Sequence, residues 1–410
     1  MARRFLLFFV LLLPAVATLR AGLVRAWRFG GQADPWTWAL PAALMLALMG
    51  RILARSAGLL LVWCASGVVG TILLFCAMAA GRWPDPLAAI GLALATLMAG
   101  IGSMMLYDRR GRLVGAGLLG CAALLVWRGP AQEIAPVADR PALAVMTGLP
   151  LFWDEKGQVG QGQAGQADSP IVTLLRSRFT VVPVDDARAL AASGARLLLL
   201  AQPRAMTPEQ LVAIDRWVRD GGRAVVLADP LLRWPSALPL GDRRRAPSVS
   251  LLGPLLAHWG VVPGRIVAGE MRHFLRDGGL VTLSDFQRIG GCRGHDGMTT
   301  CAIGRGRAVV LGDADLLDDR LWLADPALPH DPRVWSADTP ARLAHWMGAD
   351  IPGDRRWMRD RHDVVLALRW ALILGTIWAM LGSALLAWRG QRDGRSGAQE
   401  QKMNMGWRSG

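Results

Sequence analysis

The stretch Thr207-Pro-Glu-Gln-Leu-Val-Ala-Ile-Asp-Arg-Trp-Val-Arg-Asp-Gly-Gly-Arg-Ala-Val-Val-Leu-Ala-Asp-Pro230 reads as a helix, a turn and a strand in succession. Thr207 supplies a capping hydroxyl, Pro208 suits the first helical turn, and Gln210 completes a capping box. Leu211, Ile214, Trp217 and Val218 recur at three- and four-residue spacing, which is the buried stripe of an amphipathic helix. Gly221-Gly222 ends that helix, residues 224–228 form a short apolar strand, and Asp229-Pro230 closes it. A helix that hands the chain to a buried strand through a glycine turn is a unit of an α/β sheet.

The same alternation continues on both sides. Residues 143–146, 179–184 and 196–200 read as further strands, and residues 251–259 as another short helix. Between them, residues 157–167 are Gly/Gln-rich and predict a mobile loop. No internal repeat is evident.

This polar block, residues 129–362, lies between membrane-grade apolar runs. Before it come runs at 5–19, 36–50, 57–80, 86–107 and 113–127, and after it a clean span at 364–388 followed by a basic tail, 389–410. Fully 52% of the chain is hydrophobic and the mean hydropathy is positive, which excludes an ordinary soluble protein. Residues 1–128 therefore predict about five spans, three of them short for a ~30 Å hydrocarbon core. The run at 5–19, after Met-Ala-Arg-Arg, reads either as a first span or as the apolar part of a signal peptide.

The formal charge of +14 divides unevenly along the chain. Residues 1–128 hold 12 basic against 3 acidic side chains, residues 129–362 hold 28 against 26, and residues 363–410 hold 6 against 3. The excess belongs to the membrane segments, so the aqueous block carries no electrostatic footprint for nucleic acid. If each run crosses once with the N-terminus inside, twelve basic residues face inward, among them Arg3, Arg51, Arg109 and Arg389. Only Arg20, Arg25, Arg28 and Arg82 face outward. Positive charge favours the cytoplasmic side, so both termini are expected there, with residues 129–362 outside, in the periplasm of a bacterium.

Candidate sites are few. Asp229, Asp313 and Asp315 each follow an apolar strand closely, and ligands of open α/β sheets bind at such carboxyl ends. They read either as ligand or partner contacts or as caps of the following turns. Cys292 and Cys301, nine positions apart across a Gly-rich turn, suit a disulfide in an oxidising compartment, two free thiols, or a metal site with His295. Gly290-Gly-Cys-Arg-Gly294 also has the letters of a nucleophile elbow, with His295 and Asp296 as would-be partners of Cys292, but a turn and strand follow where an elbow needs a helix. Cys64, Cys76 and Cys121 fall inside membrane runs and read as packing residues.

His258, His273, His330, His345 and His362 show no metal spacing, and neither a phosphate-cradling Gly-Lys-Ser/Thr loop nor Gly-x-Ser-x-Gly is present. No metal and no cofactor is expected. Trp153, Trp217, Trp234, Trp259, Trp322, Trp335 and Trp346 read either as lining of a sugar-type site or as core and anchoring residues.

Three segments carry a resemblance. The stretch from Ile214 to Pro230, then Leu251-Leu-Gly-Pro-Leu-Leu-Ala-His-Trp-Gly260, then Gly304-Arg-Gly-Arg-Ala-Val-Val-Leu-Gly-Asp-Ala-Asp-Leu-Leu317, resembles the auxiliary component of gliding-motility-type ABC transporters (GldG-like) across residues 143–323. The resemblance implies a flavodoxin-like or class I glutamine amidotransferase-like three-layer sandwich lacking the catalytic cysteine. It also implies ABC ATPase and permease partners in the bacterial inner membrane. The chain departs from that family in carrying several N-terminal spans. The expectation is a non-catalytic accessory of an ABC-type transport or export system, a multi-pass membrane protein with one periplasmic α/β domain. Its alternatives are a membrane-tethered cysteine hydrolase or amidotransferase-like enzyme using Cys292, and a structural membrane scaffold.

Overall fold

The computed structural model describes residues 2–28, 30–52, 58–129, 134–153, 168–295, 297–351 and 355–406. The chain forms two compact units, Met1–Ala131 with Arg356–Gly410, and Gln132–Arg355. The Gly/Gln-rich segment 157–167 lies outside the described residues.

The first unit opens with five helices, α1 (Ala2–Arg28), α2 (Ala39–Ile52), α3 (Gly58–Ala80), α4 (Pro86–Met105) and α5 (Arg112–Arg128). Asp85 caps α4 by accepting the Ala88 N–H, and Asp34 caps the 3₁₀ turn Pro35–Trp38 ahead of α2. Three segments here, Arg4–Arg28, Gly58–Ala80 and Pro86–Met105, are long and apolar enough to cross a membrane. α2, with 14 residues, and α5, with 17, are shorter. α1 outruns its apolar stretch because arginine is a good helix former and nothing after Leu19 breaks the helix before Gly30. Its Leu11, Ala15 and Leu19 are buried as members of the bundle.

Helices meet through small residues. A Cβ at Gly50 would lie 2.3 Å from the Gly100 carbonyl oxygen, and one at Gly102 would lie 2.9 Å from that of Gly115, so only glycine permits these approaches. Trp36 meets Gly91 while Gly50 meets Gly100, so α2 and α4 run in the same direction. Met105 against Gly111 and Gly115 turns α5 back along α4.

The second unit holds β1 (Ala142–Thr147), α6 (Pro170–Leu175), β2 (Thr180–Pro183), β3 (Leu197–Ala201), α7 (Pro208–Arg219), β4 (Arg223–Leu227), α8 (Gly253–His258), β5 (Val262–Ile266), β6 (Glu270–Phe274), β7 (Leu280–Ser284), β8 (Gln287–Gly290), β9 (Arg293–His295), β10 (Met298–Ile303), β11 (Gly306–Leu311) and α9 (Thr339–Met347). The main sheet has the order β2-β1-β3-β4-β11-β10-β9. Its first five strands are parallel, and β10 and β9 add an antiparallel edge. The ribbons β5–β8 and β6–β7 form separate two-stranded sheets, and Gln287 at the start of β8 bridges to Gly312 after β11.

Strand alternation buries both faces. Met146, Leu200, Val226 and Val310 pack against Ile214 and Val218 of α7 and Leu255 of α8. Leu143, Leu199, Val225 and Val309 on the opposite face are also buried, and α9 packs on β4 and α6. This is a mixed α/β sheet domain with helices on both faces. The capping box of Thr207 and Gln210 is formed at the start of α7.

A last helix, α10 (Arg361–Gly406), returns to the first unit, and its Arg361–Arg389 segment is a fourth candidate span. The helix does not stop at Trp388, since the Gln, Ala, Glu and Met residues that follow sustain it. Trp63 meets Gly382, Gly67 meets Trp378 and Thr71 meets Gly375, so α10 runs opposite to α3. The Arg359 N–H donates to Ala79 O and the Met358 N–H to Gly31 O. The ends of α1 and α3 therefore meet the start of α10, and all six helices alternate in direction.

Candidate functional site

Parallel pairing of Leu227 with Leu311 sets the ends of β4 and β11 side by side. Asp229 follows the one, Asp313 and Asp315 the other, and a carboxylate oxygen of each lies within 4.8 Å of those of the other two. All three are buried, at 0%, 0% and 2% exposure.

Five of the six oxygens accept backbone N–H groups. Asp229 takes Leu231 at 2.8 Å and Ala314 at 3.0 Å. Asp313 takes Ser284 at 2.7 Å and Leu316 at 3.1 Å, and Asp315 Oδ2 takes Arg233 at 2.7 Å. The sixth, Asp315 Oδ1, is buried with no hydrogen-bond partner among the described residues. The cluster thus ties three chain segments together, the loops after β4 and β11 and the end of β7.

Burial raises Asp229, and raises Asp313 well above the usual carboxylate range with the Asp229 charge adding to it. Burial, then the charges of Asp229 and Asp318, push Asp315 up to about 7. Three carboxylates this close in a dry interior cannot all stay ionised without compensation. Asp229, Asp313 and Asp315 are also the residues that could share a cation. The backbone N–H donors favour the ionised form of the five oxygens they reach, whereas burial and the neighbouring carboxylates favour a held proton, and Asp315 Oδ1 is the oxygen left without a donor among the described residues.

Beside this cluster opens a cleft of about 710 Å³. Its walls are the loop after β1 with Pro150 and Trp153, the start of α6 with Asp168 and Ser169, the loop after β4 with Trp234, and the 3₁₀ turns carrying Leu317 to Arg320. Asp315 holds two of these walls in place, since it opens the 3₁₀ segment and accepts the N–H of Arg233, next to Trp234.

Two supporting residues escape sequence reasoning. Gln202, fully buried after β3 at φ +44°, accepts the Asp229 N–H and donates to Asp229 O and Pro247 O. A non-glycine residue at positive φ costs free energy and persists only where its surroundings hold it. Asp285, at φ +48°, accepts Arg233 Nε and the Gly269 N–H, and these contacts hold its carboxyl below the usual range. Gln202 carries the feature that marked Asp229, a polar residue directly after an apolar strand. Asp285 directly follows β7, a strand that Thr282 and Ser284 make less evidently apolar in the sequence.

Cys292, before β9, is disulfide-bonded to Cys301 of β10. Both sulfurs are then spent, which removes the thiolate that a cysteine enzyme or a Cys292/His295/Cys301 metal site needs. Strand β9 follows Cys292 where a nucleophile elbow would have a helix. The His295 side chain and Asp296 lie outside the described residues. His258 neighbours Asp215 and Arg219, and His345 neighbours Asp350, far apart in the chain.

Residues 140–263, from the edge of β1 into β5, match the family model described as ABC-type uncharacterized transport system. No curated protein matches the chain. Among solved structures, an exo-β-1,4-mannosidase from Opitutaceae bacterium strain TAV5 superposes with a TM-score of 0.33 at 13% identity, over 60% of this chain and 42% of its own. A β-galactosidase from Rahnella sp. R3 superposes with a TM-score of 0.28 at 12% identity, over 65% and 43%. The chain spans less than half the length of either enzyme, and superpositions this loose carry no argument. Through residues 140–263, which hold four of the five parallel strands of its α/β domain, the chain is similar to the auxiliary components of ABC-type transport systems.

Proposed function

We propose that this chain is a non-catalytic accessory subunit of an ABC-type transport or export system of the gliding-motility kind, seated in a bacterial inner membrane. Six helices each cross once, both termini are cytoplasmic, and the α/β domain is periplasmic, where it engages cargo or partner subunits. The match of residues 140–263 to an ABC-type transport family, in a chain that has, among the described residues, four helices long and apolar enough to span a bilayer, carries the reading. Alternating helix directions and the inward excess of arginine support the topology. The α/β domain follows the flavodoxin-like strand order, with β11 as the fifth parallel strand.

The cysteine-enzyme reading has less support, because Cys292 is bonded and no helix follows it. Purification at native abundance in mild detergent tests the proposal. An ATP-hydrolysing subunit and a permease are expected to co-elute. A chain that elutes alone, while the bilayer-extracted material still contains an intact ABC ATPase, overturns it.

A further inference from the structure

Of the seven tryptophans that the sequence offers as sugar-site lining or core, the fold brings Trp153 and Trp234, from loops some eighty residues apart, into the cleft beside Asp315. A cavity of about 710 Å³ falls within the roughly 300–1,000 Å³ of ligand sites. Pro150, Pro170 and Pro235 add rigid apolar surface to the lining, and Ser169, Ser236, Asp168 and Asp319 add polar groups.

We propose that this cleft binds a neutral oligosaccharide segment, with the indoles of Trp153 and Trp234 as platforms for sugar rings and Ser236 and Asp319 as hydrogen-bonding partners for hydroxyls. The inference deepens the reading above by naming what the domain engages. A pyranose ring offers a flat patch of C–H groups on its faces and hydroxyls at its rim. Flat aromatic surface edged by oxygen-bearing side chains matches both.

Charge decides against the other ligands that aromatic, acidic clefts accept. Asp168 is paired with Arg176, and Asp318 with Arg320 at 2.6 Å. Asp319 is the lining carboxylate left without an ion-pair partner among the described residues. Little negative charge is left to hold a cationic peptide. Arg320, the arginine of the lining, is bonded to Asp318, so no unpaired cation among the described lining residues is offered to a phosphate-bearing polymer. Ser169 Oγ, just ahead of α6, is buried with no hydrogen-bond partner among the described residues.

Titration of the detergent-purified full chain tests this. The probes are hexasaccharides of β-1,4-linked glucose, N-acetylglucosamine and mannose, a lysine-rich heptapeptide and a glycerol-phosphate oligomer, with binding followed by calorimetry. At least one hexasaccharide is expected to bind, and Trp153→Ala or Trp234→Ala to weaken it about tenfold or more, the scale of an aromatic anchor. Trp234→Phe, which keeps a platform and guards against a folding artefact, is expected to retain most of the affinity. Asp319→Asn is expected to change saccharide affinity less than threefold. Absence of binding by all three hexasaccharides overturns the inference, as does binding indifferent to both Trp→Ala variants. Peptide binding that is abolished by Asp319→Asn, with no saccharide binding, assigns the cleft to cationic peptides instead. Co-elution decides the assembly and titration decides the cleft, so either result can fail without the other.

Discussion

Trp63 of α3 and Trp378 of α10 stack with ring centroids 4.5 Å apart and planes 17° apart, and each indole N–H donates to the other residue's backbone carbonyl, at 3.0 and 3.1 Å. Each also rests on a glycine four positions after its partner. A Cβ at Gly67 would come within 2.8 Å of Trp378, and one at Gly382 within 2.1 Å of Trp63. In a bilayer an indole N–H without an acceptor is costly, and this reciprocal arrangement satisfies both.

Trp63→Phe keeps an aromatic surface but loses one donor, and is expected to cost about 1 kcal/mol. Gly382→Val forces the helices apart and is expected to cost more. Thermal unfolding in detergent, followed by loss of helical circular dichroism, ranks them. Equal melting temperatures for Gly382→Val and the parent would remove the clasp from the account of bundle stability.

The disulfide yields a second expectation. Closing a loop of about ten residues between Cys292 and Cys301 should stabilise the domain by roughly 2–3 kcal/mol. Cys292→Ser should lower the denaturant midpoint by that measure without abolishing transport. Mass spectrometry of unreduced material should show the linked peptide. Two freely alkylated thiols would contradict it.

A third concerns acidity. Asp315 titrates near 7 in the folded chain, against about 3.9 when unfolded. Between those values the folded form keeps a proton that the unfolded form has released, so stability present in acid is lost as pH rises through 7. Melting temperatures from pH 5 to 8 should therefore fall more steeply for the parent than for Asp315→Asn. Parallel profiles would show that Asp315 does not carry this proton. By contrast, Asp313→Ala leaves the buried N–H groups of Ser284 and Leu316 without acceptors, at roughly 1–3 kcal/mol each, and should lower the melting temperature at every pH.

Topology makes the fourth. Alkaline phosphatase fused at Gln163 should be active and at Arg392 inactive, because the enzyme folds only outside the cytoplasm. Reversal at either position sinks the orientation.

The parallel core was legible in the sequence because strands buried on both faces are short unbroken apolar runs, as at residues 196–200 and 224–228, and because Thr207 and Gln210 mark a helix start. The ribbons were not, since Val262–Ile266 is exposed along its length and Glu270–Phe274 alternates too weakly to distinguish strand from loop. At the site, a polar residue after an apolar strand pointed to Asp229, Asp313 and Asp315. Their nearness depends on β4 and β11 pairing across some eighty intervening residues, which no local pattern encodes. The cleft needed the fold as well, because Trp153 and Trp234 share no spacing.

The alternation of helix direction has an arithmetical consequence. If α3 and α10 cross the membrane in opposite senses and the α/β domain stays on one side, an even number of crossings must separate them. If α4 is one of those crossings, α5 must be another, although its 17 residues rise only about 25 Å against a ~30 Å hydrocarbon core. The 14 residues of α2 leave a still larger deficit. Both pack on α4, Ala43 and Ala122 around Ala99, so the deficits fall together. On the proposed topology, a bilayer beside α4 would have to thin, or flanking side chains snorkel, to meet both short helices.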